Sequence, residues 1–245
     1  MLRRKRRYGA RSRSESLSQE TMARRNQTTW LLFVALALAA VWYFQHRPAA
    51  PRVVPQPALE TFNGCGMEGD AANPSVRELN LLKNRYTVPE PQQLDPDVTL
   101  AAMLEPGDDR GRWNDQHAAE ITGYVWDVKV GGVETVNCHA TDPHDRDTHI
   151  ELVLDPMNSS EIRRLIVEVT PRGRALADQR GDDWSTRALR DHLQGRWIRV
   201  RGWLLFDAEH ESQSVNTAPN RPRDWRATAW EIHPVTSLEV VDRPH

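Results

Sequence analysis

Three side chains able to hold a metal ion stand two residues apart in Asp147-Thr148-His149-Ile150-Glu151. Residues two apart on a β-strand share a face. Asp147, His149 and Glu151 then form a polar row, while Ile150, Leu152 and Leu154 serve the other face. Imidazole and carboxylate donors suit zinc or manganese. A strand row is too extended to wrap one ion alone, and a solvated face with salt bridges is the competing reading. A second group, Asp207-Ala208-Glu209-His210, follows a later apolar run. Asp147, His149 and His210 make the candidate metal set, with Glu151 or Glu168 as a general base on bound water. Arg172, Asp207 and Arg226 are the candidate ligand-binding residues. In Trp230-Glu231-Ile232-His233 the tryptophan and isoleucine point inward, and Glu231 and His233 form an outward pair that reads as structural.

These residues need a frame to bring them together. Glu120–Val130 alternates apolar and polar positions and ends at Gly131-Gly132, the pattern of a strand and a turn. His149–Leu154 and Arg164–Val169 are the second and third strands, stopped by Pro156 and Pro171. Asp183–Leu193 is helical, capped by Ser185 or Thr186 and closed by Gly195. Trp197–Phe206 is the fourth strand and Arg226–Ile232 the fifth, with Leu238–Val241 continuing it after Pro234. The order predicts a mainly β protein: an OB-fold-like five-stranded barrel with one helix between strands three and four. A β-sandwich is the alternative, which the single central helix disfavours. In such a barrel the loops between strands one and two and between strands four and five flank one face. Cys138, His139, Asp147, His149, Glu168, Arg172, Asp207 and His210 would converge there.

Ahead of the barrel, 74–85 predicts a short helix, with Asn73 as its cap and Pro74 in its first turn. The stretch 86–117 is irregular, with a short helix near Leu100–Leu104. The stretch 28–44 (TTWLLFVALALAAVWYF) carries no charge over 17 residues. As a helix it would cover about 26 Å, slightly short of a hydrocarbon core of about 30 Å. Ten Lys/Arg and two acids lie in residues 1–47, which leaves 22 basic and 32 acidic residues beyond them. A basic flank before an apolar span predicts a single-pass signal anchor with a cytoplasmic N-terminus and an extracytoplasmic C-terminal domain. Cleavage as a signal peptide is the alternative. The chain thus divides into a basic tail (1–27), a transmembrane helix (28–44), a Pro-rich stalk (45–62), a pre-barrel segment (63–117) and the barrel (118–242). Outside a reducing interior the only two cysteines, Cys65 and Cys138, are expected to bond to each other. Free thiols, or metal ligation through Cys138 and His139, are the alternatives.

The strings CHATDPHDRDTHIEL (138–152), VEVTPR (167–172), RVRGWLLFDAEH (199–210) and RATAWEIHPVTSLEV (226–240), with GCGMEGD and LNLLKNR upstream, resemble uncharacterised bacterial exported or membrane-anchored proteins. The resemblance covers about residues 64–241 and implies one coherent module without implying a mechanism. The residues themselves exclude several chemistries. No Gly-rich phosphate loop, Gly-x-Ser-x-Gly elbow, His-Glu-x-x-His helix or Cys-x-x-Cys pair occurs. An outer part carrying ten more acids than bases argues against a phosphate-binding groove, which disfavours nucleic acid as a partner. A binding or scaffold module of the cell envelope is therefore expected, reaching the membrane through its N-terminal helix and taking an envelope protein, a glycan or a small molecule. A hydrolase using a divalent metal at the barrel rim is the enzymatic alternative, and single-stranded nucleic-acid binding a further one.

Overall fold

The computed structural model describes residues 34–39, 41–43, 56–158 and 160–244. The chain divides into two compact units, Met1–Ala50 and Pro51–His245. In the first, residues 34–39 and 41–43 are helical. The rest of the expected membrane span, the basic tail and most of the stalk lie outside the described residues. Among the described residues no helix is long and apolar enough to cross a membrane.

The second unit is mainly β. Apart from a short two-stranded sheet (Thr61–Phe62 with Cys65–Gly66), its strands are β1 (Ala118–Val130), β2 (Thr148–Val153), β3 (Leu165–Val169), β4 (Trp197–Phe206) and β5 (Trp230–Val241). They close into a barrel in the order β1-β2-β3-β5-β4, with β4 returning to β1. Every pair is antiparallel except β3 with β5, an arrangement consistent with an OB-like barrel. Besides a single turn of helix at Gln56–Glu60, the helices are α1 (Pro74–Lys83), α2 (Leu100–Leu104), α3 (Pro171–Arg180) and α4 (Thr186–Leu193). Asn73 caps α1 by accepting from the Ser75 N–H at 2.9 Å, with Pro74 in the first turn, as the sequence predicts. Ser185, not Thr186, caps α4.

Alternating apolar residues fill the barrel. Ile121, Ile150, Val167, Val200 and Ile232 meet in one core, joined by Leu100 and Met103 of α2 and by Leu189 and Leu193 of α4. Each such fully buried aliphatic contributes about 1.5–3 kcal/mol. The alternation in β1 changes phase at Trp126. Val125 pairs with Leu152 and Asp127 with Glu151, so one residue of β1 is extra. This bulge lets Val125 and Val128 both face the core and turns Trp126 outward.

Two expectations need correction. The connection between β3 and β4 holds two helices, not one. Pro171, read as a strand stop, is instead in the first turn of α3, whose cap Thr170 accepts from the Gly173 N–H at 3.0 Å. The fifth strand starts at Trp230, not Arg226, and runs unbroken through Pro234 to Val241. Residues ahead of it are claimed by the fully buried Asp109, whose Oδ2 accepts from Thr228 Oγ1 at 2.7 Å and from the Ala229 N–H at 3.0 Å. Pro234 is tolerated because the β4–β5 register shifts on both sides of Gly202, leaving Pro234 without a partner on β4.

Candidate functional site

Because Ile150, Val167 and Ile232 point inward, the residues beside them point out of the barrel wall. His149 stands opposite Glu168, and Val167 is paired with Ile232, so Glu168 lies next to Glu231 and His233. An outer face ordinarily meets water. Here His149, Glu168, Glu231 and His233 are all buried, the last two completely. Gly131 and Asp147 of the β1–β2 loop (131–147) and Asp207, His210 and Arg226 of the β4–β5 loop (207–229) lie against them, and the C-terminal end of α1 reaches both loops.

Lys83 of α1 fastens this roof. Its side chain is 1% exposed, and its ammonium lies 3.1 Å from Glu134 Oε2 and 3.4 Å from both Asp207 Oδ2 and Glu209 Oε2. The two loops expected to flank one face therefore do meet, and they meet on a lysine of the pre-barrel segment. Asn84 adds hydrogen bonds to the carbonyls of Met67 (2.9 Å) and Val136 (3.2 Å). A disulfide joins Cys65 to Cys138, with Cα atoms 5.7 Å apart, and ties the segment to the β1–β2 loop.

Beneath the roof the charges form a chain. His149 Nε2 is 3.0 Å from Glu168 Oε1, close enough for an ion pair, although the ring N–H is not aligned as a hydrogen bond. His233 Nδ1 lies 3.5 Å from Glu168 Oε2 and 3.2 Å from Glu231 Oε2. Glu231 Oε1 accepts from Arg226 Nη1 at 2.5 Å. Burial works against the charged form of His149, but the Glu168 carboxylate outweighs it and raises the imidazole to about 9. Burial likewise opposes ionisation of Glu168, and His149 and His233 overcome it, holding this carboxyl well below its usual range. Asp147 is different: burial dominates and lifts it to about 6, against the pull of His233. In the neighbouring group, Asp207 is held low by Lys83 and His210 despite burial.

The sequence-predicted residues are distributed unevenly over this network. Asp147, Glu168 and His233 present ligand atoms within 4.8 Å of one another, and Asp207, His210 and Glu231 form a second such triad. Asp147 and His210 thus fall in different groups, and His149 joins the first only through Glu168. A single ion shared by His149 and His210 is not what this packing favours. Glu151 is fully buried between Lys129 and Arg164 Nη1, the latter at 2.6 Å, so its carboxylate is already committed. Arg172 spends its donors on Leu59 O (2.6 Å), Asn84 Oδ1 (2.6 Å) and Cys65 O (2.9 Å). Arg226 donates to Thr228 O at 2.7 Å as well as to Glu231. Both arginines brace the roof and wall. Asp207 caps the turn that follows it and receives His210 Nδ1 at 2.6 Å. His139 lies apart, exposed, 2.8 Å from Asp70.

The sequence reading misses Lys83 and Glu134, and it sets Glu231 and His233 aside as structural. The outward pairing of those two is legible in Trp-Glu-Ile-His. Their position is not, because a strand begun at Arg226 would carry them to its far end. No protein-family model matches this chain, and no curated protein matches it either.

Proposed function

We propose that the chain is a membrane-anchored, extracytoplasmic binding or scaffold module on an OB-fold-like barrel. The observation that carries this reading is the roof over the outer wall. On OB-folds the face between the two long loops takes oligonucleotides and oligosaccharides. In this chain its own pre-barrel segment occupies that face, held by Lys83 and by the disulfide. A groove for nucleic acid is thereby covered. A hydrolytic metal centre requires an open coordination position and access for substrate, whereas Asp147, Glu168 and His233 are only 3%, 4% and 0% exposed.

One open cleft, of about 510 Å³, lies between the α3–α4 connection and β5. Trp184, Leu189 and Leu238 give it an apolar floor, and Arg180, Asp183 and His192 stand at its rim. The Arg180 guanidinium lies 5.3 Å from the Trp184 ring centre. Apolar surface with a few convergent polar groups is the usual make-up of a ligand site, and this one fits a glycan or a short peptide. The disulfide accords with an oxidising compartment.

The test is photo-crosslinking in intact cells, with the crosslinker replacing His192 in the full chain. The expected result is one discrete envelope adduct that Trp184→Ala abolishes. Turnover of a model ester or phosphodiester that His233→Gln removes, with no adduct at the cleft, would instead establish the hydrolase. Recovery of a C-terminal reporter in the cytosol would overturn the topology.

A further inference from the structure

We propose that Asp147, Glu168 and His233 form a closed site for one zinc-type divalent cation, inside the wall and apart from the binding cleft. Their potential ligand atoms lie within 4.8 Å of one another. A second observation points the same way. Asp147 Oδ1 and His233 Nε2 are buried and have no hydrogen-bond partner in the protein, on residues 3% and 0% exposed. Burying such groups without a partner is costly, and a cation bound by both would satisfy them.

The remaining atoms of the same residues are already oriented. Asn137 Nδ2 donates to Asp147 Oδ2 at 3.1 Å, leaving Oδ1 for an ion. His233 Nδ1 faces Glu231 Oε2 at 3.2 Å and Glu168 Oε2 at 3.5 Å; with that nitrogen donating to a carboxylate, Nε2 carries the lone pair for an ion. A carboxylate behind a ligating histidine is the common supporting arrangement at metal sites. His149 Nε2 stands 3.0 Å from Glu168 Oε1, beside the three ligands rather than among them. One imidazole nitrogen and two carboxylate oxygens are a donor set that suits zinc at roughly 2.0–2.2 Å. The other triad is not equivalent. Asp207 is in direct ion-pair contact with His210 and Lys83, and Glu231 with Arg226, so the carboxylate oxygens of that triad are already taken.

The experiment uses the full chain in detergent, stripped with chelator and dialysed against zinc. About one bound zinc per chain is expected, and cobalt in its place should give the strong visible bands of a four-coordinate centre. Asp147→Asn and His233→Gln should each weaken zinc binding by more than about tenfold, while His210→Gln leaves it unchanged. A wild-type chain that retains no zinc, or a six-coordinate cobalt spectrum, overturns the site without recourse to any variant. Loss of zinc in His210→Gln with retention in Asp147→Asn moves the ion to the other triad and also overturns it. A metal-free chain would leave the cleft reading intact, and an empty cleft would leave the metal site intact.

Discussion

Lys83 supplies one positive charge to a space shared by Glu134, Asp207 and Glu209. Burial alone would favour the neutral amine, yet Asp207 and Glu134 outweigh burial and raise this lysine well above its ordinary value. Replacing it with Met keeps the volume and takes the ammonium from the buried Asp207 carboxylate, so Lys83→Met should lower unfolding stability by about 3–5 kcal/mol. Urea titration of the full chain in detergent would measure it, and a loss under about 1 kcal/mol would mean the ammonium does not hold the roof. The Asp207–His210 pair makes a pH-dependent prediction of definite sign. Asp207 is depressed in the folded state, so its contribution is present above about pH 4 and is lost as the pH falls through the folded value. His210 is raised, against burial, by its hydrogen bond to Asp207. Its contribution is full below about pH 6.5 and is lost as the pH climbs through the folded value. Thermal melts across this range should show Asp207→Asn flattening the acid limb and His210→Gln flattening the alkaline one. Little of this was visible in the sequence. A lysine ending an amphipathic helix looks like a solvated C-terminal charge, and only tertiary packing turns it inward.

At the scale of elements, strands were more legible than helices. Alternation marks most of β1, β2 and the first half of β4, while β3 and the rest of β4 are largely apolar runs of aliphatic and aromatic residues bounded by turn signals. The α3 segment, Pro-Arg-Gly-Arg-Ala-Leu-Ala-Asp-Gln-Arg, has no apolar stripe. It is held by buried Arg172 and Arg174, whose guanidinium groups grip backbone carbonyls, a contact that periodicity does not report. The start of β5 was misplaced for a related reason: Thr228 and Ala229 have strand-like types but are bound to Asp109. One element-scale prediction concerns Gly202, where β4 and β5 change register. A Cβ there would lie 2.6 Å from Ile232 Cγ2 and 3.0 Å from Val235 Cα. Gly202→Ala should therefore cost about 1–3 kcal/mol through overpacking, read as a lowered melting temperature. An unchanged melt would show that β5 can slide past β4.

Across the second unit, covalent linkage and burial act on the same join. The Cys65–Cys138 bond spans 73 residues, so it constrains a long stretch of the unfolded chain as well as fastening the roof to the β1–β2 loop. Breaking it should cost about 2–5 kcal/mol. The double variant Cys65→Ala/Cys138→Ala should show this as a lower urea midpoint, and reductant added to the wild-type chain should reproduce it. The bond also reports where the domain resides, because the cytosol keeps most thiols reduced. Cells expressing the full chain, lysed in a thiol-blocking reagent, should yield protein whose two cysteines take up label only after reduction. Labelling without reductant would place the domain in a reducing compartment, and the extracytoplasmic reading would then fail along with the covalent tie. If the bond is present but its removal leaves stability unchanged, the roof rests on Lys83 and the Asn84 contacts alone. In that case Lys83→Met in the cysteine-free chain should expose the outer wall, detectable as faster amide exchange along β2 and β3.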